Sequence, residues 1–133
     1  MRNTCEPTSV LLVVDHEDVA WGLRKLIDGE WPRMIVSGTA RSLAEAFAAT
    51  DRRKPGVIIL DLFVGAENSL DHLADLTKMS GAKVLVLADR NENDLRRRAM
   101  ALGAYAVVLK DASADILLRE IESARRKVRH AAQ

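Results

Sequence analysis

The sequence Ser-Val-Leu-Leu-Val-Val at residues 9–14 is a continuous apolar run that ends at Asp15. A run without polar alternation is typical of a strand buried on both faces, as in a parallel sheet. The pattern returns as Val-Ile-Ile-Leu at 57–60, Val-Leu-Val-Leu at 84–87 and Tyr-Ala-Val-Val-Leu at 105–109. A weaker run at 34–36 predicts one more strand, the second in chain order.

Five helical patterns alternate with these strands, because apolar residues recur three or four positions apart. The apolar positions, helix by helix, are Val19, Leu23, Leu26 and Ile27; Leu43, Ala46, Phe47 and Thr50; Leu70, Leu73, Ala74 and Thr77; Leu95, Ala99 and Leu102; and Leu117, Ile121, Ala124 and Val128. Ser42 and Ser69 are suitable N-caps for the second and third helices, and Gly103 suits the end of the fourth. The alternation predicts a doubly wound α/β three-layer sandwich, with five parallel strands and helices on both faces.

The composition is that of an ordinary globular domain. The chain has 133 residues, of which 48% are hydrophobic and 29% charged, and its net charge is +1. This balance argues against disorder and gives no charge excess for nucleic acid or membrane. The single cysteine, Cys5, cannot form a disulfide framework, and no signal peptide or membrane-length apolar run is present. We therefore expect one cytoplasmic domain over residues 1–133, with its core at about residues 9–128.

Polar residues follow three of the predicted strands. Asp15 follows the first strand, Asp61 the third and Lys110 the fifth. Sites in open α/β sheets form at the carboxyl ends of the strands, where the strand order reverses. If the order is 2-1-3-4-5, the first and third strands are neighbours, so Asp15 and Asp61 converge and Lys110 reaches in beside them.

This set of side chains suits phosphoryl chemistry. Two carboxylates can hold Mg²⁺, a carboxylate can act as a nucleophile that forms an acyl phosphate, and a lysine can balance phosphoryl charge. The simpler alternative is that each polar residue only terminates a buried strand. A phosphatase of the haloacid type would need a second aspartate at the position of Phe63, which argues against that class.

Three stretches carry a family resemblance: Leu-Leu-Val-Val-Asp-His at 11–16, Pro-Gly-Val-Ile-Ile-Leu-Asp-Leu at 55–62, and Ala-Leu-Gly-Ala-Tyr-Ala-Val-Val-Leu-Lys-Asp at 101–111. The chain resembles a response-regulator receiver domain of two-component signalling over about residues 10–128. His16 and the pair Lys110-Asp111 resemble the NarL/FixJ-type subfamily. The resemblance implies the flavodoxin-like strand order 2-1-3-4-5.

The resemblance also implies roles for individual residues. Asp61 matches the phosphoryl-accepting aspartate, and Lys110 matches the family's catalytic lysine. Asp15 matches a direct Mg²⁺ ligand, which acts together with Asp61 and the backbone carbonyl at Phe63. The implied protein is a regulator rather than an enzyme with an outside substrate, because any phosphoryl transfer or hydrolysis concerns its own Asp61.

Three positions depart from the family pattern. Val14 replaces an acidic residue, so we expect weak Mg²⁺ binding. Ala88 stands where the family has a serine or threonine hydroxyl that binds the phosphoryl group. Val107 replaces the aromatic switch residue; Tyr105, two positions earlier on the same predicted strand face, is either a substitute or an ordinary half-buried tyrosine. Two hypotheses follow: a receiver phosphorylated on Asp61 with an altered switch, or an atypical docking or dimerisation module that works without phosphorylation.

The resemblance implies a histidine kinase or phosphotransfer protein as partner, and a homodimer through the fourth helix, fifth strand and fifth helix. Trp21, opposite the apolar face of the first helix, is either exposed near the kinase-binding region or packed against a neighbouring loop. Direct DNA binding by these residues is not expected, because no recognition helix stands out. In the NarL/FixJ subfamily a DNA-binding domain usually follows the receiver. The basic run at 125–130 either leads toward such an output domain or complements the helix dipole.

Overall fold

The computed structural model describes the backbone of residues 7–131 and the side chains of residues 7–125. Strands and helices alternate along the chain, as the sequence predicts. In chain order the elements are β1 (Thr8–Val13), α1 (Glu17–Asp28), β2 (Met34–Ala40), α2 (Leu43–Arg52), β3 (Val57–Asp61), β4 (Phe63–Val64), β5 (Glu67–Asn68), α3 (Leu70–Ser80), β6 (Lys83–Ala88), α4 (Asn93–Ala101), β7 (Ala106–Leu109) and α5 (Ala114–Ala131).

The main sheet has five parallel strands in the order β2-β1-β3-β6-β7. With the short β4–β5 hairpin set aside, this is the predicted order 2-1-3-4-5. One apolar cluster joins the sheet to α2, α3 and α4, and a second joins its other face to α1 and α5. The predicted doubly wound three-layer sandwich is therefore confirmed.

The central strands explain the continuous apolar runs. Alternate residues of β1 and β3 belong to opposite clusters: Leu11 and Ile58 face one side, and Leu12 and Ile59 the other. All four are at most 2% exposed. Burying such a side chain contributes roughly 1.5–3 kcal/mol, so both faces of these strands must be apolar.

β2 is longer than the sequence predicted, since it continues from Met34 to Ala40. It lies at the edge of the sheet, where polar residues such as Ser37 and Thr39 are tolerated. The register against β1 shifts at Val10, so Ser37 has no partner in the ladder. An edge position with an irregular register gives no continuous apolar run, which is why the pattern stopped at residue 36.

The ends of the helices can be compared with the predicted capping residues. Ser42 caps α2, because its hydroxyl accepts a hydrogen bond from the Glu45 N–H at 3.1 Å. Ser69 occupies the N-cap position of α3 as predicted, but its side chain makes no capping hydrogen bond, and Asn68 Oδ1 accepts the Leu70 N–H at 2.9 Å instead. Gly103 follows the last residues of α4 with a φ of +110°, the left-handed conformation expected at a helix end.

The predicted face of α3 is partly wrong. Ala74 is exposed, and the helix buries Leu76 and Ser80 in addition to its first leucines. Two sequence predictions lie outside the described side chains, namely those for Cys5 and for the basic run beyond Arg125, including Val128. None of the described helices combines the length and apolar character that crossing a bilayer requires.

Candidate functional site

The strand register brings the predicted polar residues to one edge of the sheet. Asp61 is the last residue of β3 and lies opposite Leu87 of β6. Ala88 pairs with Leu109, the last residue of β7, and the Lys110 N–H donates to the Ala88 carbonyl at 2.9 Å. β1 neighbours β3 on the other side and leads through Val14 to Asp15. The carboxyl ends of four adjacent strands therefore form the site.

Asp61 and Lys110 are in direct contact. Lys110 Nζ lies 3.0 Å from Asp61 Oδ1. Asp61 is 1% exposed, so its carboxylate has little access to water. An ionised carboxylate in such a place needs a charged or hydrogen-bonding partner, and Lys110 supplies it.

The environment of Lys110 favours its charged form. Burial lowers the pKa of the ammonium, but the hydrogen bond and charge of Asp61, together with Asp89, outweigh burial and raise the pKa above its usual value. A lysine held in its protonated form is suited to balance negative charge at Asp61.

Asp15 lies at the neighbouring strand end and contacts the loop after β3. Its Oδ2 accepts the Gly65 N–H at 2.6 Å. Gly65 has a φ of +62°, which a turn between two-residue strands requires and which glycine adopts without strain. The β4–β5 hairpin that contains it has no counterpart in the sequence predictions, because strands of two residues leave no periodic pattern.

Each of the two carboxylates has one oxygen without a hydrogen-bond partner among the described residues. These oxygens, Asp15 Oδ1 and Asp61 Oδ2, are both buried. His16 Nε2 lies 3.8 Å from Asp15 Oδ1, beyond hydrogen-bond distance. Two orphaned carboxylate oxygens at the ends of adjacent strands fit a hard cation such as Mg²⁺, which takes oxygen ligands and keeps several waters.

The donor set is small, however. Within the described residues, no three histidine, cysteine, aspartate or glutamate side chains form a group that could hold a metal ion. Phe63, at the predicted carbonyl position, begins the hairpin, and its ring is half exposed. Within the described residues the arrangement therefore offers two carboxylates rather than a cage.

The three departing positions are apolar and buried. Val14 and Ala88 are at most 1% exposed, and Val107 is 8% exposed. Ala88 and Val107 belong to the core cluster beneath α2, α3 and α4. The side of the site formed by β6 and β7 thus carries neither a hydroxyl nor an aromatic ring at these two positions.

Tyr105 does not share a face with Val107, so the prediction of a shared strand face is wrong, and the alternative of an ordinary half-buried tyrosine is confirmed. It precedes β7 rather than lying in it, and it packs against the cluster beneath α1 and α5. Its hydroxyl hydrogen-bonds with the Ser123 hydroxyl on α5. Side chains alternate between the two faces of a sheet only within a strand. Tyr105 lies before β7, so a spacing of two residues does not place it on the face of Val107.

Two contacts at the site have no counterpart in the sequence predictions. Asp89 Oδ1 lies 3.4 Å from Lys110 Nζ. Asp89 directly follows β6, and Asp15 and Asp61 lie at or near the ends of β1 and β3, so a position at a strand end was the available signal. Ser69 donates from its hydroxyl to the Asp61 carbonyl oxygen, which ties the end of the hairpin to β3. No sequence pattern marked this second contact.

Trp21 of α1 and the arginines of α4 lie on the surface. Trp21 is 65% exposed, and Lys25 Nζ lies 5.5 Å from the centre of its ring, so the alternative of packing against a loop is wrong. Arg97 and Arg98 of α4 pair with Asp94 and Asp71, respectively. These arginines are largely solvated, in keeping with a surface run of charge.

A known protein family and several known proteins are similar to this chain in sequence. Residues 10–122 match the model of the response regulator receiver domain. The chain is 32% identical to the DNA-binding transcriptional activator DevR/DosR of Mycobacterium tuberculosis, over 85% of this chain and 52% of that protein. It is 28% identical to the nitrate/nitrite response regulator protein NarL of Escherichia coli, over 90% of this chain and 55% of that protein.

A solved structure supports the same fold. The two-component response regulator of the LuxR family from Aurantimonas superposes with a TM-score of 0.83 at 23% identity, covering 91% of this chain and 86% of that one. The chain spans about half the length of the curated relatives it matches. On the family match and the sheet topology, the chain belongs to the response regulator receiver domain family.

Proposed function

We propose that this receiver domain accepts a phosphoryl group on Asp61 with the help of Mg²⁺. The observation that carries the proposal is the state of Asp61. One oxygen of its buried carboxylate contacts the Lys110 ammonium at 3.0 Å, and the other has no partner. A carboxylate with one oxygen neutralised and one available is a suitable nucleophile for phosphorus.

In the proposed reaction an Asp61 oxygen attacks the phosphorus of the donor. The bond from phosphorus to the donor's leaving group breaks, and an acyl phosphate forms on Asp61. Lys110 remains close enough to balance charge on the phosphoryl oxygens. Asp15 and Asp61, with the Phe63 carbonyl as the resemblance implies, would hold Mg²⁺, and the bound ion would supply further positive charge to the phosphoryl oxygens.

We expect Mg²⁺ to bind weakly. Val14 is buried and contributes no oxygen ligand, so the ion meets two carboxylates only. Fewer charged ligands hold a divalent cation less tightly. The Gly65 N–H also occupies one Asp15 oxygen, which leaves Oδ1 as the free one.

The proposed switch differs from that of the family. Ala88 has no hydroxyl to bind the phosphoryl group, and Val107 has one stiff torsion and no ring to rotate. Both are packed in the core. We infer that a phosphoryl group on Asp61 is read through the β4–β5 hairpin and Lys110 rather than through β6 and β7.

The lack of a hydroxyl at Ala88 and of an aromatic ring at Val107 supports a second candidate function. In this alternative the domain is a docking or dimerisation module that works without phosphorylation. The surface of α4, β7 and α5 is the proposed dimer face. The two candidates differ in whether Asp61 is ever modified, which a mass measurement decides.

The wider setting is part of the proposal. The chain acts in the cytoplasm as a regulator rather than as an enzyme on outside substrates, with a histidine kinase or phosphotransfer protein as its phosphodonor. Residues 1–133 form a single receiver domain. The curated relatives are about twice as long, so an output domain beyond α5 would carry any transcriptional role.

The test is intact-mass spectrometry after incubation with Mg²⁺ and acetyl phosphate. The wild type is expected to gain the mass of one phosphoryl group, and the Asp61→Asn variant is expected to gain none. Omission of Mg²⁺ should prevent the adduct. If the wild type stays unmodified with acetyl phosphate and with a phosphorylated histidine kinase, the phosphorylation-independent module is the better account.

A further inference from the structure

Lys110 contacts two carboxylates that differ in their surroundings. Its Nζ lies 3.0 Å from Asp61 Oδ1 and 3.4 Å from Asp89 Oδ1. The Asp61 side chain is 2% exposed, whereas that of Asp89 is 71% exposed. One ammonium is therefore shared between a buried acid and a solvated one.

The backbone keeps this shared contact in place. Asp89 directly follows Ala88, whose carbonyl accepts the Lys110 N–H at 2.9 Å. Asp89 and Lys110 thus leave β6 and β7 side by side. The approach of Asp89 to the lysine follows from strand pairing as well as from side-chain attraction.

Breaking the contact of Lys110 with Asp61 costs more free energy than breaking its contact with Asp89. Asp61 loses its neutralising partner if the lysine leaves, and water cannot replace that partner at a buried carboxylate. Asp89 is hydrated already, so it can release the lysine at little cost. Any new negative charge on Asp61 must therefore draw Lys110 away from Asp89.

We propose that Asp89 is a positioning residue that holds Lys110 back from the phosphoryl group on Asp61 and so slows the modification. The inference rests on the proposed function, because it concerns the same reaction. Asp89 divides the attraction of the lysine between two acids. Removing its charge leaves the whole ammonium to the phosphoryl oxygens in the transition state.

The experiment compares initial rates of adduct formation with acetyl phosphate and Mg²⁺ by intact mass. Asp89→Asn is expected to raise the rate about threefold, which lies within the range that the strength of an exposed ion pair allows. The matched control is Asp94→Asn, which removes one negative charge from an acid that pairs with Arg97 instead. The control should leave the rate unchanged, and Asp89→Glu should keep the rate of the wild type.

The Asp94→Asn control separates a contact from general repulsion of the anionic donor. At 1 M salt the screening length is about 3 Å, which is shorter than the 3.4 Å contact, so salt weakens the contact and the general repulsion alike. The rates are therefore compared at low salt. An equal or slower rate in Asp89→Asn, or an equal gain in Asp94→Asn, would overturn the inference.

These results remain distinct from those that test the proposed function. If the wild type forms an adduct and Asp89→Asn forms it no faster, only the role of Asp89 fails. If Asp89→Asn forms an adduct and the wild type does not, the role of Asp89 is supported in its strongest form. If neither is modified, both the proposed function and the inference that rests on it are wrong.

Discussion

Two sides of one site differ in the chemistry of their side chains. At the ends of β1, β3 and β7, Asp15, Asp61 and Lys110 provide carboxylates and an ammonium within a small region. Beside them, Ala88 on β6 and Val107 on β7 are buried in the apolar core. We call the first group the charged side and the second the apolar side. The comparison shows that the charged groups lie together at the strand ends, whereas the two positions expected to carry a hydroxyl and an aromatic ring are apolar and buried.

The largest expected effect comes from adding an acid to the charged side. Val14→Asp places a carboxylate where the side chain is 1% exposed, and we expect it to lower the free energy of unfolding by about 3 kcal/mol without metal. Mg²⁺ should recover part of this loss, because a ligand that binds only the folded state stabilises it. Urea unfolding with and without Mg²⁺ measures both.

Val14→Asn is the matched control for that prediction, since it adds polarity without charge. Its stability should respond to Mg²⁺ no more than that of the wild type. An equal response of the two variants would mean that residue 14 does not face the proposed metal position.

The next effect comes from removing the cation of the charged side. Lys110→Met leaves the buried Asp61 carboxylate without its partner, and we expect the free energy of unfolding to fall by about 2 kcal/mol. Combining it with Asp61→Asn should restore most of the loss, because no buried charge remains. Urea unfolding checks this, with the exposed Lys78→Met as control. A Lys110→Met variant as stable as Lys78→Met would contradict the account.

On the apolar side, Ala88→Thr tests whether a missing hydroxyl limits the response. The residue is fully buried, so the larger side chain should cost about 1.5 kcal/mol through overpacking. The hydroxyl should lengthen the lifetime of the Asp61 adduct, followed by intact mass after the donor is removed. Ala88→Val has the same shape without the hydroxyl, and it should lose stability without gaining lifetime. Equal lifetimes in the two variants would exclude Ala88 as the cause.

The smallest effect is a dependence of stability on alkaline pH. The pKa of Lys110 is raised in the folded protein above its ordinary value of 10.5, so the folded state holds this proton more tightly. The stabilisation is present in full below the unfolded pKa and is lost as pH rises through the folded one. Wild type should therefore lose more stability than Lys110→Met between neutral pH and about pH 11. Parallel curves for the two proteins would show that the contact does not favour the charged lysine.

The repeating apolar patterns predicted the strands and helices, but they did not predict the contacts that depend on loops. The runs at 9–14 and 57–60 predicted central strands because burial on both faces requires apolar residues at every position. Asp15, Asp61 and Lys110 could be placed together because parallel strands end at one edge. The predicted second strand ends too early, at residue 36, because an edge strand tolerates polar residues such as Ser37, and these resemble the residues of a loop.

The errors share one physical cause, which is that local spacing does not describe irregular backbone. Tyr105 was assigned to a strand face although it lies before the strand. Ser69 stands at the predicted N-cap position, yet its hydroxyl donates to the Asp61 carbonyl, and Asn68 accepts the Leu70 N–H. The contact between Asp89 and Lys110 joins residues 21 positions apart, and it depends on how two strands leave the sheet.

The most direct test of the central claim follows both sides in one sample. Hydrogen exchange measured by mass spectrometry, before and after modification with acetyl phosphate and Mg²⁺, reports separately on residues 62–69, on β6 and on residues 93–109. We expect one phosphoryl group on Asp61, altered exchange in the hairpin and unchanged exchange in β6, α4 and β7. An unmodified Asp61, or an adduct that changes exchange in β6 and across 93–109 as strongly as in the hairpin, would contradict this expectation.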